Sequence, residues 1–214
     1  MPGYYPDKPP TASNGRSFEV LVERLHWLHF GQAIGVFRDR WSQWNIGESR
    51  AGVEIKELTN SHTRLHIELA EKTQVDQPWV PSGIMRTDNA KRYVCGNRAD
   101  IFAFFKQTLL IHHREARPRE VWFGRDQATG AFRLGDVGDS TLLATIHSFV
   151  LDKSTADTLC LYRFRFYDGR WHVMPSLRER STTSCAVPRG AVAPEDWAQW
   201  WARWEYVQDV RSAA

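Results

Sequence analysis

Cysteine is scarce in this 214-residue chain. Cys95, Cys160 and Cys185 stand far apart and form no Cys-x-x-Cys pair, which argues against a zinc ribbon or a disulfide framework and leaves thiols expected to be reduced and structural. Long apolar runs are missing as well: none approaches the roughly 20 residues that a membrane-spanning helix needs. The opening Met1-Pro2-Gly3-Tyr4-Tyr5-Pro6-Asp7-Lys8-Pro9-Pro10 lacks the apolar centre of a secretory signal, so the expectation is a cytoplasmic protein with no membrane partner. No Gly-rich phosphate loop, Gly-x-Ser-x-Gly elbow or His-Glu-x-x-His run occurs, and the chemistry that each carries is set aside. His112 and His113 are adjacent, so on a helix they diverge and make a poor metal pair. No internal repeat is visible.

What is present suits one large domain or a domain with an appendage, since 42% hydrophobic and 25% charged residues over this length can bury a full core. The formal charge of +3 is mildly basic and compatible with nucleic acid. Ten tryptophans are many. Indoles can stack on bases, but their large buried area makes core packing the expected use.

Along the chain, residues 1–16 read as a flexible arm. Phe18, Leu21, Val22, Leu25 and Leu28 recur at helical spacing, with Ser17 available as the cap. Residues 32–37 and 41–46 are expected to be extended, 82–91 partly helical, 99–105 a strand covered on both faces, 108–116 a helix and 140–151 another helix. Alternation over 159–167, then Asp168-Gly169, predicts a hairpin with 171–174. A last helix is expected from Pro194, with Trp197, Trp200, Trp201 and Trp204 on one stripe that docks on the body of the protein or on a second copy in a homodimer. The expected organisation is an arm over 1–16, a core over 17–135 and a C-terminal extension over 136–214 packed on that core.

Two runs stand apart. In 51–58, Val53 and Ile55 alternate with Glu54 and Lys56; in 64–72, Leu65, Ile67 and Leu69 alternate with His66, Glu68 and Ala70. The turn-rich 59–63 between them predicts an antiparallel pair in which Glu54 faces Glu68 and Lys56 faces His66. Directly opposed carboxylates repel. A divalent cation would offset this, as Mg²⁺ typically takes one or two carboxylates together with substrate phosphates. Glu48, close to the end of the first strand, is a third candidate ligand.

Glu54-Ile55-Lys56 on a strand, a second strand containing Ile67-Glu68, then Ser82-Gly83-Ile84 and an apolar strand together resemble the PD-(D/E)xK nuclease superfamily in its divergent phage and mobile-element branches. The likeness covers 17–134 in order of elements and is concentrated in 52–84. The resemblance implies an α+β fold with a central mixed β-sheet flanked by helices, a restriction-endonuclease-like core followed here by a C-terminal β-hairpin and helix. It implies Mg²⁺-dependent, or Mn²⁺-dependent, hydrolysis of phosphodiester bonds in nucleic acid, with DNA the expected partner.

Two assignments of the motif are open. In one, Glu54 and Lys56 are the Glu-x-Lys and Glu48 stands in for the preceding Asp. In the other, which the expected register favours, Glu54 takes the place of that Asp, Glu68 is the later acid and Lys56 is a migrated lysine, because residue 70 is Ala. Across the two, Glu54, Lys56 and Glu68 are candidate catalytic residues, and Glu54, Glu68 and Glu48 candidate metal ligands. Arg86, Lys91, Arg163 and Arg165 would steer nucleic acid, with Glu23 and His66 as accessories. The alternatives are a catalytically inactive nuclease-like domain that binds nucleic acid or a protein, and an interaction protein that assembles through its tryptophan-rich tail.

Overall fold

The helical recurrence read from Phe18 onward forms α1 (Thr11–Phe30), whose Phe18, Val22, Leu25 and Phe30 are buried. The helix begins six residues ahead of Ser17 in a computed structural model that describes residues 11–58 and 64–176. Ser17 is therefore not a cap, and its hydroxyl instead accepts from the Arg98 guanidinium. The expected helix from Pro194, its tryptophan stripe and Cys185 lie outside the described residues.

A short helix, α2 (Arg40–Asn45), occupies the stretch expected to be extended over 41–46. Asp39 gives the reason: it is itself extended, and its Oδ1 accepts from the Ser42 amide at 2.8 Å, satisfying a donor that the first helical turn leaves unpaired. Within 32–37 only the Val36–Ser49 bridge is strand-like.

The strands are β1 (Val53–Glu57), β2 (Arg64–Glu71), β3 (Val80–Pro81), β4 (Arg92–Gly96), β5 (Asp100–Phe105), β6 (Glu120–Asp126), β7 (Phe132–Asp136), β8 (Leu142–Asp152), β9 (Tyr162–Tyr167) and β10 (Arg170–Pro175). Helices α3 (Lys106–Ala116) and α4 (Lys153–Leu159) and a 3₁₀ turn (Gly83–Met85) complete the set. The fold is α+β, with two five-stranded sheets: β1-β4-β5-β9-β10, and β3-β2-β8-β6-β7. Among the described residues only β1 and β4 pair in parallel; the other pairs are antiparallel.

The first sheet separates two cores. Val53, Ile55, Val94, Ile101, Ala103, Tyr162 and Phe164 pack with α1, while the alternate residues Tyr93, Cys95, Phe102 and Phe104 meet Leu65, Ile67, Leu69, Phe149 and Leu151 of the second sheet. Each of the Val, Leu, Ile and Phe side chains among these contributes about 1.5–3 kcal/mol by leaving water. Strand β8 lies between β2 and β6, and β9 between β5 and β10, so residues beyond 136 complete both sheets.

Two expectations need correction. First, β1 and β2 are not hairpin partners: β1 pairs with β4, β2 pairs with β3 and β8, and His66 stands opposite Val150 rather than Lys56. The alternation in β1 separates two buried faces, not core from solvent, so it carried no information about which strand lay beside it. Second, the helix expected over 140–151 is replaced by a turn and, from Leu142, by strand β8. Opposite β6 the register slips between Phe123 and Gly124, which pair with Ile146 and Ala144 and leave Thr145 between them. This bulge breaks the two-residue period of a strand and left apolar spacing that imitated a helix.

Candidate functional site

Although β1 and β2 belong to different sheets, the site expected from their sequences is brought together across the layers. Lys56 Nζ lies 3.5 Å from Glu48 Oε1, 3.5 Å from Glu54 Oε1 and 3.9 Å from Glu68 Oε2. Glu54 and Lys56 sit on the face of β1 turned toward the second sheet, because Val53 and Ile55 are claimed by the α1 core.

Local chemistry fixes each carboxylate. The loop before β1 is wound back on the strand: the Ser49 hydroxyl both accepts from Val53 N and donates to Val53 O, each at 2.8 Å, and Glu48 Oε2 accepts from Ile55 N at 2.6 Å. On β2, Glu68 Oε1 accepts from the Ser82 hydroxyl, and the register slips between Glu68 and Ala70. Gly83 makes this approach possible. At φ +51° it carries no side chain where a β-carbon would stand 2.3 Å from the Glu68 carbonyl oxygen.

Charge and burial are in tension here. Burial pushes the Glu54 carboxyl up to about 7; Lys56 opposes the rise, and Glu48 and Glu68 add to it. For Lys56, burial works against the ammonium, but Glu68, Glu48 and Glu54 outweigh it and hold the group well above the usual lysine range. It is a fixed cation, not a proton acceptor. Glu54 Oε2 is buried without a hydrogen-bond partner, and so is the hydroxyl of Tyr93, the residue paired with Glu54 across β1 and β4. Such orphaned oxygens are costly unless something meets them.

A divalent cation is one group that would. Among the described residues no set of three or more His, Cys, Asp or Glu side chains forms a ready metal shell; what gathers the carboxylates is the Lys56 ammonium. The donor set still fits a hard cation, which needs only one or two protein carboxylates, and the unpartnered Glu54 oxygen is a free ligand atom.

The other expected residues fall elsewhere. Glu23 Oε1 accepts from Gly35 N and Val36 N at 3.0 and 3.3 Å, tying α1 to the following loop. His66 is half-buried, and burial lowers its imidazole. Arg86 donates to the carbonyls of Gln43 and Trp44, both at 2.6 Å. Lys91 is exposed. Arg163 is buried over the Phe102 ring in bidentate contact with Asp157 at 2.9 and 3.0 Å and with Asp100 at 2.6 Å, so it is structural and offers nothing to a phosphate. Arg165 keeps a side chain 51% exposed.

Three participants were not read from the sequence as site residues. Ser82 stands out in the sequence only as part of Ser-Gly-Ile. Tyr93 is hidden in an apolar strand. Lys106, which favours the charge on Glu54, donates to Arg86 O at 2.6 Å and pairs with Asp88 at 3.1 Å; a lysine directly after an apolar run is its signal in the sequence. Away from this site, Glu120 bridges His113 and His147 at 2.8 and 2.7 Å, joining α3, β6 and β8. No helix of the described residues is long and apolar enough to cross a membrane. Comparison with protein-family models, curated proteins and solved structures finds no match to this chain.

Proposed function

We propose that the chain is a divalent-cation-dependent nuclease, hydrolysing phosphodiester bonds in nucleic acid at the cluster of Glu48, Glu54, Lys56 and Glu68. The observation that carries this reading is the buried, unpartnered Oε2 of Glu54 beside a second carboxylate and a permanently charged lysine. Glu54 and Glu68 would hold Mg²⁺ or Mn²⁺, with Glu48 as a further acid. When bound, the cation supplies Lewis acidity toward a phosphate oxygen. The residues of the chain do the rest. Ser82 and the Ile55 amide fix the angles of Glu68 and Glu48. Lys56 places a positive charge beside the position of the phosphate and orients the attacking water, where charge stabilisation is worth most in a dry site. Lys106 adds to Lys56 in favouring the charged form of Glu54, against the burial that raises it.

The second reading, a nuclease-like module that binds without cutting, draws on one observation: Lys56 already holds the three carboxylates together, offsetting part of their charge without a metal ion. Incubation of the full chain with single-stranded, duplex and branched DNA and with RNA, in Mg²⁺, Mn²⁺ or EDTA, separates the two. The nuclease reading expects cleavage that EDTA abolishes and that Glu54→Gln and Lys56→Met each reduce by at least about 10²-fold. Activity indifferent to Lys56→Met, or none with any of these substrates, would sink it.

A further inference from the structure

None of the six described tryptophans is buried, and two of them crowd onto the shortest helix: Trp41 is 70% and Trp44 66% exposed, both on α2. A packed indole buries about 150–250 Å². Two indoles left open on six residues therefore need a reason outside the core. We infer that Trp41 and Trp44, braced by Arg86, form a stacking platform for unpaired bases of the strand delivered to the Glu54–Lys56 cluster, an inference that rests on the nuclease reading of that cluster.

Position is the first argument. Trp44 precedes Glu48 by four residues, and at about 3.5 Å per residue the two backbones lie no more than roughly 14 Å apart. That is the length of about four stacked nucleotides. The platform is also tied to the site. Arg86, which leaves the 3₁₀ turn carrying Gly83, donates to the carbonyls of Gln43 and Trp44, and its own carbonyl accepts from Lys106. The amides of Ile46 and Gly47 bond to Ser42 O at 2.8 and 3.2 Å, and Asn89 N bonds to Ile46 O at 3.0 Å. A base held on α2 is thereby held in register with the carboxylates.

Charge is the second argument. The Arg86 guanidinium lies 5.8 Å from the centre of the Trp44 ring, Arg50 lies 5.9 Å from that of Phe37, and Arg38 is exposed between them in sequence. The nearby acids are engaged, Asp39 in capping α2 and Asp88 with Arg86 and Lys106. Cations interleaved with aromatic faces fit a phosphate strand with splayed bases, because every base has a π-face that an indole can cover. A paired duplex keeps those faces stacked inside the helix, so the substrate class is single-stranded or locally unpaired nucleic acid.

The test is equilibrium binding in EDTA, where cleavage plays no part, of a labelled oligothymidylate and of a fully paired duplex of equal length to the full chain. The expected result is tighter binding of the single strand with quenching of tryptophan fluorescence, lost by at least about tenfold in Trp41→Ala/Trp44→Ala. Trp44→Phe, which keeps a ring, retains most of the affinity. Unchanged thermal unfolding of these surface variants shows that folding is not the cause. Single-strand affinity unaltered in the double variant overturns the platform. So does the conversion of a dimer to a monomer by the same substitutions with affinity intact, which would make the surface an interface between copies. Tryptophan-dependent binding without Mg²⁺-dependent cleavage upholds the platform and sinks the nuclease reading; cleavage with tryptophan-independent binding does the reverse.

Discussion

Gly83 stands directly behind Glu68, its position for a β-carbon 2.3 Å from the Glu68 carbonyl oxygen and 2.8 Å from the Glu68 Cβ. The backbone of the acid-bearing strand and the turn that carries Ser82 are packed so closely that only hydrogen fits between them. Gly83→Ala therefore has to displace Glu68. The expected outcome is a loss on the order of 2 kcal/mol or more in chemical denaturation, together with loss of cleavage. Gly130→Ala is the control: it also has positive φ, +70°, but nothing lies within 4 Å of the new methyl. Its cost is limited to about 1–2 kcal/mol of backbone strain, and cleavage is expected to be unaffected.

Arg163 answers to Asp100 and Asp157, not to a ligand. Asp100→Ala leaves a buried guanidinium short of one partner, and also strips Lys153, 3.0 Å away, of its contact. The expected cost is about 3–5 kcal/mol, the range for breaking a buried pair from one side. Arg165→Ala should leave stability within about 0.5 kcal/mol because its side chain is half exposed. If the strand runs past β9, that substitution lowers the salt dependence of binding by about one phosphate contact. A measurable stability loss in Arg165→Ala with a small one in Asp100→Ala would contradict the burial seen here.

Lys56→Met tests what gathers the acids. Without the ammonium, Glu48, Glu54 and Glu68 repel one another in a partly buried pocket. The variant is expected to unfold at lower temperature than the parent in EDTA and to recover more than the parent does on adding Mg²⁺ or Mn²⁺, since a cation that binds only the folded state stabilises it by mass action. Thermal unfolding against cation concentration measures this. A flat response in both proteins would mean that the cluster holds no divalent cation.

Much of this site was legible because it rests on residue type. Carboxylates and a lysine at alternate positions of otherwise apolar strands are conspicuous whichever strand lies beside them, and Glu54, Lys56 and Glu68 do converge. The route to that convergence was not legible. A two-residue period says that a strand has two faces but not what covers each, so β1 was read as the partner of β2 when both of its faces meet protein. The same blindness made Arg163 look solvent-facing. Thr145 shows a different limit: one extra residue in β8 erased the strand period over the stretch where helix was expected. Trp41 and Trp44, expected in the core on the strength of their size, instead face solvent.

Two buried groups give the protein opposed pH responses. His26, whose Nδ1 donates to Val22 O at 2.8 Å and whose Nε2 accepts from the Tyr162 hydroxyl, is lowered by burial from 6.5 to about 4, with Arg92 and His29 adding to the fall. Between those values the unfolded chain holds more protons at this site, so stability rises with pH and is complete above 6.5. Glu54 runs the other way. Raised from 4.5 to about 7, it holds more protons when folded, so its contribution is present at low pH and lost as pH climbs through that window. Each shift corresponds to about 3 kcal/mol, and over most of the shared range the two slopes offset each other. In EDTA the two opposed slopes therefore partly cancel in the parent's urea midpoint between about pH 4.5 and 6.5, on top of the rise from His29, His66 and His112, which burial also lowers. Glu54→Gln should expose the rising limb, gaining stability toward neutral pH while losing cleavage. His26→Leu/Tyr162→Phe should expose the falling limb. Parallel profiles for all three proteins would show that neither burial acts as described, whereas divergence in these directions would mean that the acid required for chemistry is a net burden on the fold at the pH where it is ionised.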